Sequence, residues 1–101
     1  MKEEEKAPPQ GQQIQVELPE KESEGIYSNF VLITHSPSEF VVDFARLLPG
    51  SPKAKVFSRI VMTPMHARSL LETLERNIKM FEDKHGKIKV AGLPDGKEIG
   101  F

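Results

Sequence analysis

Arg59-Ile60-Val61-Met62-Thr63-Pro64-Met65-His66-Ala67-Arg68-Ser69-Leu70-Leu71 is the stretch on which the fold turns, because here a β-rich run gives way to a helical pattern. The strand ends at Met62. Thr63 is placed to accept a hydrogen bond from a free N–H of the first helical turn, and Pro64 loses nothing at the first helical position, where its N–H would be unpaired. Ala67, Leu70, Leu71, Leu74, Ile78 and Phe81 recur at steps of three and four, which places them on one stripe. Arg68, Glu72, Glu75, Arg76, Lys79, Glu82 and Asp83 fall largely outside it, with Glu72 and Arg76, and Glu75 and Lys79, spaced to pair. Gly86, after Lys84 and His85, stops the helix.

Moving back toward the N-terminus, Lys53 to Met62 reads as the strand that feeds this helix, and Leu48-Pro49-Gly50-Ser51-Pro52 as a turn. Ser36 to Leu48 supports two readings. Ser36-Pro37-Ser38-Glu39 has the form of a capping box, yet Phe40, Val42 and Phe44 alternate, Val41-Val42 is a β-branched pair, and Ser36-Pro37-Ser38 makes a short turn between β-rich runs. Strand is the preferred reading. Ile26 to His35 is apolar at every central position, so both its faces require cover, from a second layer or a second subunit. Ile14-Gln15-Val16-Glu17-Leu18 alternates and reads as an edge strand.

The expected fold is therefore α+β, a four-stranded antiparallel meander followed by one long C-terminal amphipathic helix (ββββα) folded back over one sheet face, and dimeric. Residues 1–13, charged and rich in proline and amides, form a disordered arm; 14–88 form a single domain; 89–101 form a tail or small hairpin, with Lys87 to Val90 as a short strand.

The chain has 101 residues, so it holds one domain at most, and a domain of this size buries only roughly 60 to 65% of its unfolded surface. Fourteen basic and fifteen acidic residues leave a formal charge of −1, which gives no general attraction to nucleic acid or anionic lipid. With no cysteine, disulfides, thiolate metal sites and cysteine nucleophiles are excluded. The charged start Met1-Lys2-Glu3-Glu4-Glu5-Lys6 and the lack of a long apolar run read as a cytoplasmic protein with no membrane partner.

Tyr27-Ser28-Asn29-Phe30, Glu39-Phe40-Val41-Val42-Asp43-Phe44, Ser58-Arg59-Ile60-Val61-Met62-Thr63 and a helix ending near Glu82 and His85-Gly86 together resemble an uncharacterised prokaryotic family, domain of unknown function 3467. The resemblance covers about Gly25 to Ile88. Members share a Tyr-Ala-Asn-Phe start, a Glu-x-x-x-Asp-Phe-Gly segment, an Arg-Ile/Val-Val step and a Glu-x-x-Phe-Gly end. This chain departs with Ser28 for alanine, Ala45 for glycine and His85 for phenylalanine. The resemblance implies a strand over Phe40 to Ala45, and no activity.

His35, His66 and His85 lie on separate elements without metal-ligand spacing, and read as structural or solvated. Asp43 and Arg59 each interrupt an apolar strand, which points to an ion pair between neighbouring strands. With no second titrating partner and no glycine-rich phosphate loop, no reaction class emerges, so no enzyme and no cofactor are expected. The residues singled out as an interface or ligand face are Tyr27, Asn29, Val31, Ile33, Val41, Asp43, Phe57, Arg59, Met65 and Met80. A homodimeric binding or scaffold protein is the leading functional reading. A single-stranded nucleic-acid binder using Lys53, Lys55, Arg59, Tyr27 and Phe57 is the alternative, less favoured because aromatics are sparse.

Overall fold

The computed structural model describes residues 13–90. Among these the chain folds as a short helical turn α1 (Glu20–Ser23), strands β1 (Phe30–His35), β2 (Phe40–Leu47) and β3 (Ala54–Met62), and the long helix α2 (Pro64–His85). The strands form one antiparallel sheet in the order β1-β2-β3. The α+β class, the antiparallel meander and the C-terminal helix are as the sequence indicates. The expected fourth strand is not formed: Ile14 to Leu18 is irregular and exposed, and among the described residues the sheet has three strands. Alternation specifies which side chains share a face, but it does not supply an edge to pair with. Pro19, α1 and the turn at Gly25 (φ 77°) intervene between this segment and the sheet.

Phe40 to Leu47 is a strand, and the first hairpin closes as its serines suggest. The Ser36 N–H donates to the Glu39 carbonyl (2.9 Å), and Ser36 Oγ accepts from the Ser38 N–H (3.3 Å). In the second turn, Gly50 takes a φ of 78°, which a side chain would strain, and the Ser51 N–H donates to the Leu48 carbonyl (3.1 Å). β1 begins at Phe30 rather than Ile26, because side chains take over the ladder below it. Ser28 Oγ donates to the Ala45 carbonyl (2.9 Å). Asn29 Nδ2 donates to the Leu47 carbonyl (3.0 Å) while its Oδ1 accepts from the Leu47 N–H (2.8 Å).

Register assigns the faces, since residues directly opposite on antiparallel strands point the same way. One face carries Val31, Ile33, Phe40, Val42, Phe44, Ile60 and Met62, with His35 and Ser58 at its ends. The other carries Leu32, Val41, Val61, Ala45 and Val56 around the pair Asp43 and Arg59. A β-bulge sits between Phe44 and Ala45: Phe44 faces Ser58 and Ala45 faces Val56, so Phe57 is the extra residue on β3.

α2 is capped as expected. Thr63 Oγ1 accepts from the His66 N–H (3.2 Å), and Gly86 ends the helix at φ 98° with its N–H on the Glu82 carbonyl (2.9 Å). Lys79 pairs with Asp83 (3.1 Å) rather than with Glu75, and Arg76 donates to Thr73 Oγ1 (3.4 Å) rather than pairing with Glu72. Lys87 to Val90 is irregular, not the expected short strand, and the Ile88 N–H donates to the Glu82 carboxylate (2.9 Å). The expected arm over 1–13 and tail over 89–101 lie almost wholly outside the described residues.

The helix does not fold back over the sheet. The packed interfaces are β1 on β2 and β2 on β3, no α2 residue is buried, and Leu70, Leu71, Leu74, Ile78 and Phe81 are exposed. The reason is the joint. One residue, Thr63, in an extended conformation (φ −72°, ψ 160°), separates Met62 from Pro64, whereas a strand-to-helix connection that reverses direction takes about 2 to 6 residues. Consequently, among the described residues, the apolar ones that are buried are Val42 (5% exposed) and Ala45 (0%), both on the central strand.

Candidate interaction surface

Asp43 occupies the middle of β2 with Leu32 on one side and Arg59 on the other. It is 8% exposed, so its carboxylate needs a partner close at hand. Arg59 supplies it bidentately, Nε donating to Oδ1 at 2.8 Å and an Nη to Oδ2 at 2.9 Å. The pairing expected from two charges in adjacent apolar strands is present, in the planar fork geometry that arginine favours. Arg59's hydrogen bonds and then its charge hold the Asp43 carboxyl below its ordinary range, against the opposing push of burial. The same contact raises Arg59 further. Both ends of the pair thus stay charged, which fixes β2–β3 register and leaves the carboxylate committed to Arg59.

The bulge builds a second cluster. Arg46 and Lys55 are cross-strand partners, and the Arg46 guanidinium stands 4.1 Å from the Phe57 ring centre with the Lys55 ammonium at 5.5 Å. Arg46 Nε also donates to the Tyr27 carbonyl (3.3 Å), tying the approach to β1 into the same corner. The sequence reading included Tyr27, Lys55 and Phe57 but missed Arg46. The bulge that brings Arg46 onto Phe57 has no glycine to announce it.

The remaining residues of the expected surface are distributed rather than gathered. Val31 and Ile33 lie on the apolar face; Val41, Asp43 and Arg59 lie on the other; Asn29 is engaged with Leu47. Met65 and Met80 are exposed on α2, but at 100° per residue they stand off the stripe of Leu70, Leu74 and Phe81. The histidines are taken up locally: His35 stacks on Phe40 (5.3 Å), His66 Nδ1 lies 2.9 Å from Thr63 Oγ1, and His85 lies 4.7 Å from the Phe81 ring. Beside Phe44 and Ser58, α1 and the turn after it leave an open cleft of about 310 Å³, lined also by Lys21, Ile26 and Ser28. Among the described residues no group of three histidine, aspartate or glutamate side chains is placed to hold a metal ion, and no helix is long and apolar enough to cross a membrane.

These features define a small α+β domain with an apolar helix stripe and a two-faced apolar sheet. The chain belongs to the family described as protein of unknown function (DUF3467), whose profile matches residues 1–90. No curated protein and no solved structure matches it.

Proposed function

We propose that the chain is a small homodimeric binding or scaffold protein that carries out no catalysis. The observation that supports this reading is the α2 stripe, a full amphipathic pattern whose apolar side stands in water when the chain is alone. Apolar patches of this extent on soluble domains mark contact sites. Ile33, Ile60 and Val61 add further exposed apolar surface on the sheet. Size-exclusion chromatography with light scattering at micromolar concentration is expected to give twice the 11.4 kDa chain mass. A clean monomer overturns the proposal.

A second reading, single-stranded nucleic-acid binding, is favoured by one observation, the Phe57 ring flanked by Arg46 and Lys55 with Tyr27 nearby. Such a corner offers a base a stacking surface and a phosphate two cations. Fluorescence anisotropy with a labelled oligonucleotide at low salt tests it: binding that weakens with salt and is lost in Phe57→Ala supports it, and no binding removes it.

A further inference from the structure

We infer that the α2 stripe of one copy docks on the apolar sheet face of a second copy, the face of Ile33, Val42 and Ile60, and that the contact is made twice by a two-fold axis. This rests on the homodimer reading and specifies its geometry. The first support is the joint at Thr63, a single extended residue between β3 and α2, which leaves the helix no reach to cover its own sheet. A sheet and a helix that each require cover, on a chain that cannot join them internally, are satisfied by exchange between copies.

The second support is dimensional. The stripe from Ala67 to Phe81 runs about 21 Å at 1.5 Å per residue, and the eight residues of β2 run about 27 Å at 3.4 Å per residue. Three strands span roughly 10 Å between the outer axes, close to the ~10–12 Å width of a helix with its side chains. The third is chemical. Between the two faces of the sheet, only the other one carries the Asp43–Arg59 pair, whose guanidinium reaches into water and would be stripped of it by an apolar helix. The strand residues in the three central cross-strand rows of the chosen face carry no charge, Lys21 and Glu22 of α1 lie at the cleft beside its Phe44–Ser58 edge, and Ile33 (50% exposed) and Ile60 (41%) flank the buried Val42.

Area agrees. Leu70, Leu71, Leu74, Ile78 and Phe81 are each about half exposed, and because every copy gives both its stripe and its sheet face, the two contacts together approach the ~800 Å² that each partner gives a stable complex.

The chain contains no cysteine, so thiol cross-linking reads this contact without background. Full-length Leu74→Cys is mixed in turn with Ile33→Cys and with Ile60→Cys and treated with a short bis-maleimide. A cross-linked product joining the position-74 variant to a position-33 or position-60 variant is expected to dominate. Cross-linking of Leu74→Cys only with itself, closure within one chain in the Leu74→Cys/Ile33→Cys double variant, or no product overturns the arrangement. Isotope-filtered NOEs between labelled and unlabelled copies of the unaltered protein read the same contact without substitution. Leu74 methyl signals correlating with Ile33 or Ile60 of the other copy support it, and stripe-to-stripe correlations alone overturn it. A monomer by light scattering defeats the homodimer reading itself, whereas a dimer cross-linked stripe to stripe defeats only this geometry.

Discussion

Leu74 lies at the centre of the α2 stripe and is 52% exposed in the single chain. Burying a leucine fully is worth about 1.5–3 kcal/mol, so a partner that covers the exposed half contributes roughly 0.8–1.5 kcal/mol at each of two symmetric sites. Alanine keeps only the first carbon of the side chain. Leu74→Ala is therefore expected to weaken the dimer by about 1–2.5 kcal/mol, a rise of roughly 5- to 60-fold in the dissociation constant. Leu74→Asp goes further, because a carboxylate without a partner in that contact adds several kcal/mol, and it is expected to run as a monomer at micromolar concentration. Sedimentation equilibrium over a range of loading concentrations measures both, and melting temperatures that rise with concentration in the native protein give an independent check. In an isolated chain the same substitutions fall on an exposed helix surface, where changes stay within about ±0.5 kcal/mol. Dissociation constants within twofold of the native value for both variants would refute the reasoning.

Thr63→Ala removes the helix cap and is expected to cost about 1 kcal/mol, lowering the melting temperature by roughly 4–8 °C with faster amide exchange in the first turn of α2. Gly86→Ala places a side chain at φ 98°, ψ 169°, a region held almost only by glycine, and is expected to cost about 1–3 kcal/mol in a denaturant melt. For Asp43 the sign follows from a carboxyl held below its ordinary range in the folded state. Its stabilisation is complete above about pH 4 and is lost as the pH falls through the folded-state value. Melting temperature measured from pH 6 down to pH 2 is expected to fall less steeply below pH 4 in Asp43→Asn than in the native chain; an unchanged acid slope would contradict this.

The elements themselves were legible in the sequence because each carries its own local signal. Thr63, Pro64 and Gly86 mark α2 by backbone chemistry that holds wherever the helix goes. The hairpin from His35 to Phe40 follows from serines and a proline between two runs with matching patterns. Asp43 and Arg59 were also readable as partners, since a charge inside each of two neighbouring apolar strands has few places to go. What pattern did not reveal was relation between elements. The alternation at Ile14 to Leu18 says nothing about a free edge, and the stripe on α2 says that the helix needs a partner without saying which. The informative detail was the length of the Met62–Pro64 joint, a geometric limit that periodicity does not register. Arg46 was missed for a similar reason: its place over Phe57 depends on a register step set by tertiary pairing.

That register step acts on β3 as a change of parity. Above it, even-numbered residues of β2 and β3 share a face, as Phe40 with Met62 and Val42 with Ile60; below it, Arg46 shares a face with odd-numbered Lys55. Were Phe57 paired opposite Ala45 instead, as in an unbroken ladder, Val56 would fall opposite Arg46 and Lys55 opposite Leu47. The ammonium would then move to the side of the sheet that holds Asp43, and a valine would take its place beside the guanidinium. A single-residue deletion between Val56 and Ser58, by contrast, keeps Ala45 opposite Val56 and Arg46 opposite Lys55, so it should straighten the ladder without inverting either face. Ile60, Val42 and Ile33 would stay in phase, and Arg46 and Lys55 would remain cross-strand partners while losing the ring they share.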